Sequence, residues 1–451
     1  MNETILHRKA FILVLSAATL VMALSMLALS PVASSLMVAW NVSFAQIEWL
    51  TTVFLLVMCL SMLVSPWLFN RICFHKLILM ILGCFMIGTI LLSLAPWYLM
   101  ALVGRVLEAT ALGAMFPLYQ SALLVITTGS RQIMVMGIAG AVMSFAIVGG
   151  PAVIELALVY INWRVFYGLL ALLTILVGIG SFTWITNIVP VHVYRFDWYS
   201  LLYSLGIFGL LYLLNVSWTS REIPLLTVLV ISLFFCIMFI NRQLHYEHPL
   251  LQIQALRYWR FDLCLLLSGM AYASLIDLTT LLPLFYQEIL GQRGFEVSLN
   301  LLIPALTLVV INLIISPLTS WLNANLVMVT GMTLLAASFL LFVIDSDHLT
   351  TFKLLLFSCL TAIGSGLVLM PATTQGSNFL PTKLVAHGIT IITVTRQLFG
   401  SLSTALITFL LTISTGKRGF THSFTFLAFV NLIVLGLLIF TALGGSRNEN
   451  N

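Results

Sequence analysis

Stretches of about twenty apolar residues, separated by short polar breaks, recur from one end of the chain to the other. That is the length a helix needs to cross a bilayer core of about 30 Å. Fourteen such spans are predicted, near residues 10–38, 46–69, 77–95, 98–126, 133–160, 164–189, 198–216, 223–241, 262–286, 298–318, 325–344, 352–373, 384–413 and 423–443. An even number places both termini on one side of the membrane. The longest polar stretch, Asn241 to Arg260, is a linker at most, so no separate soluble domain is predicted. The first apolar run continues to Trp40, far past the roughly 7–15 residues of a signal-peptide core, and reads as an uncleaved span.

Composition agrees with the pattern. Of 451 residues, 61% are hydrophobic and 7% charged, with mean hydropathy +1.13, where a soluble domain carries roughly 25% charged residues. An all-α integral membrane protein is the class this predicts. The net charge of +5 is then a matter of topology and not of nucleic-acid binding, because Lys and Arg gather on the cytoplasmic side. With the N-terminus inside, about eleven cations fall in the cytoplasm, among them Arg8, Lys9, Arg71, Lys76, Arg131, Arg195 and Arg242. About six fall outside: Arg164, Arg221, Arg293, Lys353, Lys417 and Arg418. Both termini are therefore expected in the cytoplasm. The six cysteines are scattered without a CxxC pair and read as small core residues. There is no P-loop, no HExxH and no defensible Ser-His-Asp set, so no catalytic residue, metal or cofactor is expected, and no enzyme.

The charges left inside the spans carry the functional signal. A bare charge in hydrocarbon costs between about 2.5 and more than 10 kcal/mol, so such residues face protein or a watery pathway. Arg105 and Glu108 lie in GRVLEATALGAMFPLYQSALLVI, spaced i, i+3 on one helix face. They form either a local ion pair or one wall of a cavity, continued by Leu112, Met115 and Tyr119 at helical spacing. Glu155 lies about 8 Å from the outer end of its span at 1.5 Å per residue, and either snorkels to the interface or joins the pathway. Asp277, in ASLIDLTTLLPLF, either pairs with Arg396 or carries a proton. Two cations against three acids leave one carboxylate over, and burial favours the neutral form of such a group. Asp277 or Glu155 is the candidate proton-responsive acid. Gly137, Gly140, Gly149 and Gly150 with Pro151 mark a closely packed, bent fifth span.

The chain also repeats weakly. Ser65-Pro66 and Ser316-Pro317, Gly113 and Gly364, Gly137 and Gly388, and Gly149 and Gly400 all match at a shift of 251 residues. The second and tenth spans run in the same direction, so the repeat is parallel, an arrangement known in transporters. The expected domains are a six-helix half at 1–190, an inserted helix pair with linker at 191–260, and a second six-helix half at 261–451.

These landmarks resemble a known family, the fourteen-helix drug:proton antiporters of the major facilitator superfamily. The resemblance is carried by Arg105-Val-Leu-Glu108 through Gly113 and Pro117, Gly140-Ala-Val with Gly149-Gly150-Pro151, Trp163-Arg164 with Phe166, and Arg195-Phe-Asp197-Trp198. His248-Pro249, Leu282-Pro-Leu-Phe-Tyr-Gln287 with Leu290-Gly291, and Arg396-Gln-Leu-Phe-Gly400 extend it through the second half. The chain also departs from the pattern. The first span, with MALSMLALSP, lacks the family's acid; Asn70 stands where Asp is usual, although Arg71 and Lys76 remain; and Ile154-Glu155 replaces a closing glycine pair.

The resemblance implies a major facilitator fold and a monomeric, multi-pass protein of the cytoplasmic membrane. It implies export of lipophilic or cationic small molecules in exchange for protons, by alternating access. Arg105, Glu108, Met115, Tyr119, Glu155, Asp277 and Arg396 would line the pathway. Gly140, Gly149, Gly150 and Pro151 would seal it in one state, with Asn70, Arg71 and Lys76 in a cytoplasmic loop. Two alternatives stay open: an uncoupled facilitator or importer of the same fold, and a transport-inactive membrane sensor.

Overall fold

The computed structural model describes residues 2–190, 196–215, 225–246, 249–292, 295–414 and 416–448. Arg195, Arg221, His248 and Arg293 lie outside them. Seventeen α-helices account for the described chain. The first eight are α1 (Asn2–Leu27), α2 (Leu29–Trp40), α3 (Phe44–Arg71), α4 (Phe74–Leu94), α5 (Tyr98–Ile126), α6 (Ser130–Ser144), α7 (Gly150–Tyr160) and α8 (Trp163–Trp184). Then come α9 (Trp198–Tyr203), α10 (Leu205–Asn215), α11 (Leu225–His245), α12 (Trp259–Glu288), α13 (Phe295–Trp321), α14 (Ala324–Ile344), α15 (Thr351–Asn378), α16 (Val385–Ile413) and α17 (Lys417–Asn448). Thirteen helices among the described residues are long and apolar enough to cross a membrane. The predicted span at 198–216 forms two shorter pieces, α9 and α10, that meet at Ser204.

Proline explains two of the interruptions. Pro31 has no amide hydrogen to offer Leu27, and the first run breaks there into α1 and α2. Pro151 leaves Ile147 unserved in the same way, and a five-residue π-helical turn, Phe145–Gly149, stands between α6 and α7. α3 opens on a capping box, in which Ser43 N–H donates to Gln46 Oε1 at 2.9 Å and Gln46 N–H returns to Ser43 Oγ at 3.4 Å.

The helices group into two compact units. One comprises Met1–Thr127, Val153–Ala255 and Pro381–Val394; the other comprises Thr128–Ala152, Leu256–Leu380 and Thr395–Asn451. Lipid tails are as apolar as Leu, so helices in a bilayer associate through close packing and polar contacts, and small residues bring their backbones together. In the first unit Gly88 of α4 and Gly104 of α5 face each other, and a Cβ on either would lie 2.7 Å from the other's carbonyl oxygen. Gly113 of α5 lies against the Met58 carbonyl of α3. In the second unit Gly331 of α14 and Gly364 of α15 make the equivalent mutual contact at 2.8–2.9 Å, while Gly366 meets Ile311 of α13.

Aromatic packing completes the second unit. Phe342 stacks on Phe424 at 4.6 Å and meets Phe357 edge-on at 5.3 Å, while Phe285 meets Phe420 at 5.1 Å, tying α12, α14, α15 and α17 together. In the first unit Asp197 caps α9 and receives Arg242 Nε of α11 at 2.9 and 3.0 Å. Gln243 donates to Ser200 Oγ at 2.6 Å and accepts from Leu251 N–H, so a buried polar knot holds α11 to α9.

Replacing Gly88 by Ala must push α4 and α5 apart, and a loss of about 1–3 kcal/mol is expected. Gly83, on the same helix, has nothing within 4 Å of a Cβ, so Gly83→Ala should be neutral or gain up to about 1 kcal/mol of helix propensity. Thermal unfolding in detergent checks the contrast. Equal midpoints for the two variants would show that the α4–α5 contact is not tight.

Candidate functional site

Two groups of buried ionisable side chains stand inside the spans, one in each unit. In the first, Arg105 and Glu108 of α5 have no exposed surface and form an ion pair, Nη1 to Oε2, at 2.9 Å. The i, i+3 spacing that suggested a shared face delivers this contact directly. The guanidinium also reaches α1, where Nη1 donates to the Ser25 carbonyl at 3.0 Å and Nη2 to the Met26 carbonyl at 3.3 Å. Those carbonyls belong to the last turn of α1, and the Ser25 carbonyl also accepts from Ala28 N–H at 3.3 Å. Arg105 thus ties α5 to the end of α1. The Phe54 ring of α3 lies under the guanidinium at 4.0 Å. The resemblance leads one to expect an acid on the first span; here that region supplies neutral oxygens, and the negative charge stands on α5 itself as Glu108.

Met115 and Tyr119 continue the same helix and are fully buried. The Tyr119 hydroxyl shares a 2.7 Å hydrogen bond with Ser16 of α1. Gly137 and Gly140 have a packing reason: a Cβ at Gly140 would meet Asn312 Oδ1 and Met370 Cγ at 2.5 Å, and Gly137 lies against the Asn312 carbonyl. Asn312 of α13 is buried and donates to Ser144 Oγ at 3.2 Å. Gly149 and Gly150 are buried at the π-turn beside half-buried Pro151 and Glu155. Asn70 and Arg71 close α3, half-buried, and Lys76 is exposed in the first turn of α4. Between them His75 ties the loop down, its Nδ1 lying 2.8 Å from the Ile185 carbonyl and its N–H donating to Asn187.

The second group forms a ladder between α12 and α16, which run parallel. At one rung Arg396 Nε of α16 donates to Ser268 Oγ of α12 at 2.6 Å. Its Nη2 donates to the Leu369 carbonyl of α15 at 2.9 Å and to Thr373 Oγ1. One turn on, Gly400 gives room to Tyr272, whose ring edge lies 3.2 Å from where a Cβ would be. At the third rung Asp277 of α12 accepts from Ser403 and, at 3.2 Å, from Thr404. Arg396 and Asp277 are both buried, yet they are not an ion pair. Neutral oxygens and hydroxyls hold each. A small apolar hollow lies beside the acid, lined by Leu275, Leu278 and Thr279 together with Val148 and Pro304.

Sequence reasoning names the charges but not their companions. Ser268, Thr373, Ser403 and Thr404 are common in membrane helices, where hydroxyls usually bond their own backbone. Their spacing of seven or eight residues from Arg396 to Ser403 and Thr404 was the available signal.

A bundle of apolar helices with ionised side chains in its interior defines a multi-pass membrane transporter. Residues 15–404 match the Major Facilitator Superfamily, and the chain belongs to that family. It is similar to the uncharacterized MFS-type transporter YcnB of Bacillus subtilis, 28% identical over 389 residues, covering 85% of this chain and 82% of that one. It is also similar to the lincomycin resistance protein LmrB of Listeria monocytogenes, 25% identical over 388 residues, covering 84% and 81%. The crystal structure of the human organic anion transporter MFSD10 shares the fold, with TM-score 0.68 at 11% identity over 95% of this chain and 99% of that one. The all-helical membrane fold anticipated from the sequence is the fold of this family, whose members transport small molecules.

Removing one partner of a buried pair strands the other charge. Glu108→Ala is expected to cost about 3–5 kcal/mol. Arg105→Met together with Glu108→Leu should recover part of that loss, less the tie to α1. A double-mutant cycle on unfolding in detergent measures this, and additive losses would contradict the pairing.

Proposed function

We propose that this transporter exports lipophilic small molecules, cationic ones included, in exchange for protons by alternating access. It works as a monomer in the cytoplasmic membrane, with both termini inside. The observation that carries the reading is Asp277: a carboxyl in mid-span, buried, held by the hydroxyls of Ser403 and Thr404, with no cation within 4 Å among the described residues. Low dielectric makes an unpaired carboxylate costly, and taking up a proton removes that cost. Such a group releases its proton when water or a cation reaches it. Arg105 with Glu108, Met115 and Tyr119, and Glu155 and Arg396, make up the rest of the pathway in this reading. Gly140, Gly149, Gly150 and Pro151 provide the bend, and Asn70, Arg71 and Lys76 act at the cytoplasmic loop. The halves are residues 1–190 and 261–451, with 191–260 inserted. The resistance protein among its relatives supports the direction of transport, and the distribution of Lys and Arg supports the topology.

The closed Arg105–Glu108 pair and the acid-free first span favour a second reading, an uncoupled facilitator. Everted vesicles separate the two. Export of a lipophilic dye by the wild type should accelerate when the lumen is acid, and an uncoupler should abolish that acceleration. Asp277→Asn is expected to lose the pH dependence, with Glu155→Gln as the comparison. Unchanged pH dependence in both variants would reject the assignment of the acid, and flux indifferent to the uncoupler would favour the facilitator.

A further inference from the structure

Arg396 and Asp277 differ in one respect that the ladder between α12 and α16 makes important. A carboxyl without a counter-charge can neutralise itself by binding a proton, whereas a guanidinium stays charged in proteins. Burial of a lone cation is costly, and the partners of Arg396 are all neutral: Ser268 Oγ, the Leu369 carbonyl and Thr373 Oγ1. The third nitrogen, Nη1, makes no hydrogen bond among the described residues.

The helices packed around it offer no counter-charge nearby. α15 and α16 contain no Asp or Glu, and α12 carries Asp262 and Glu288 near its ends and Asp277 between. Nine residues separate Asp277 from Ser268, about 13 Å along the helix axis, and the Tyr272 ring at Gly400 occupies the rung between them. Asp277 is in any case taken by Ser403 and Thr404. The chain thus keeps its acid and its cation apart, and only the acid can cancel its own charge.

We propose that Arg396 is a binding site for an acidic group on the cargo, a carboxylate or sulfonate. Tyr272 supplies an aromatic wall for the lipophilic body attached to it. A charged guanidinium donates strongly to such an anion, and Nη1 of Arg396 is left to do so. This rests on reading the protein as an exporter of lipophilic compounds and adds to that cargo amphiphiles bearing an acidic group.

The full chain in phosphatidylcholine nanodiscs is titrated with anilinonaphthalene sulfonate and with phenylnaphthylamine, the same rings without the sulfonate. Protein-free nanodiscs give the background. The wild type is expected to bind the sulfonate about tenfold more tightly than its uncharged parent, the scale of one hydrogen bond to a charged group. Arg396→Gln should erase that preference, so that the sulfonate and its parent bind alike. Equal affinities in the wild type, or a preference that survives in Arg396→Gln, overturns the proposal. A second measurement needs no variant: decanoate should displace the sulfonate and decanamide should not, and equal displacement by both also overturns it. Export from everted vesicles distinguishes the two levels of the reading. Phenylnaphthylamine exported without any sulfonate preference sinks the acidic-group site and spares the exporter. A preference that follows Arg396, with neither probe moved, sinks the exporter and spares the site.

Discussion

A charge inside a bilayer has to be met by something, and the two units of this protein meet it in different ways. Arg105 is neutralised within its own helix by Glu108 and donates its other hydrogen bonds to the buried last turn of α1. That arrangement gives a buried cation its counter-charge and ties α5 to the last turn of α1. Arg396 and Asp277 have no such closure. Each is surrounded by neutral oxygens and hydroxyls, so the second unit holds a separated cation and acid where the first holds a pair.

Packing follows the same economy of means. In hydrocarbon there is little to gain from hiding Leu from lipid, so the contacts that hold these helices are close backbone approaches and stacked rings. Gly88 against Gly104 and Gly331 against Gly364 are the same device used once in each unit. The glycines of the fifth span serve a polar variant of it: Gly137 and Gly140 are bare because the backbone and side chain of Asn312 occupy the space. A motif that resemblance associates with sealing the pathway has, in this chain, a specific residue to pack against.

The family's usual acid on the first span is absent, and the structure shows what takes its place. The position nearest to it by contact contributes the Ser25 and Met26 carbonyls to Arg105, and the carboxylate comes from Glu108. Around Arg105 the negative charge therefore stands on the same helix, at Glu108. That acid is paired, which leaves Asp277 as the mid-span carboxyl without a cationic neighbour.

Much of the architecture was legible from residue order alone, because crossing a bilayer demands about twenty apolar residues in a row and nothing else in a chain imitates that. The spans, their number to within one broken helix, the ion pair at i, i+3, and the tight fifth span all follow from local spacing. A sequence match cannot say which neighbour a glycine touches. What tertiary structure alone decided is how charges distant in the chain are satisfied. Asp277 and Arg396 lie 119 positions apart, and simple charge counting pairs them. Only the parallel course of α12 and α16, which sets Tyr272 between them and brings Ser268, Ser403 and Thr404 alongside, shows that they stay apart. Hydrogen-bond partners on other helices leave no periodic trace in a sequence, because they are fixed by which faces meet.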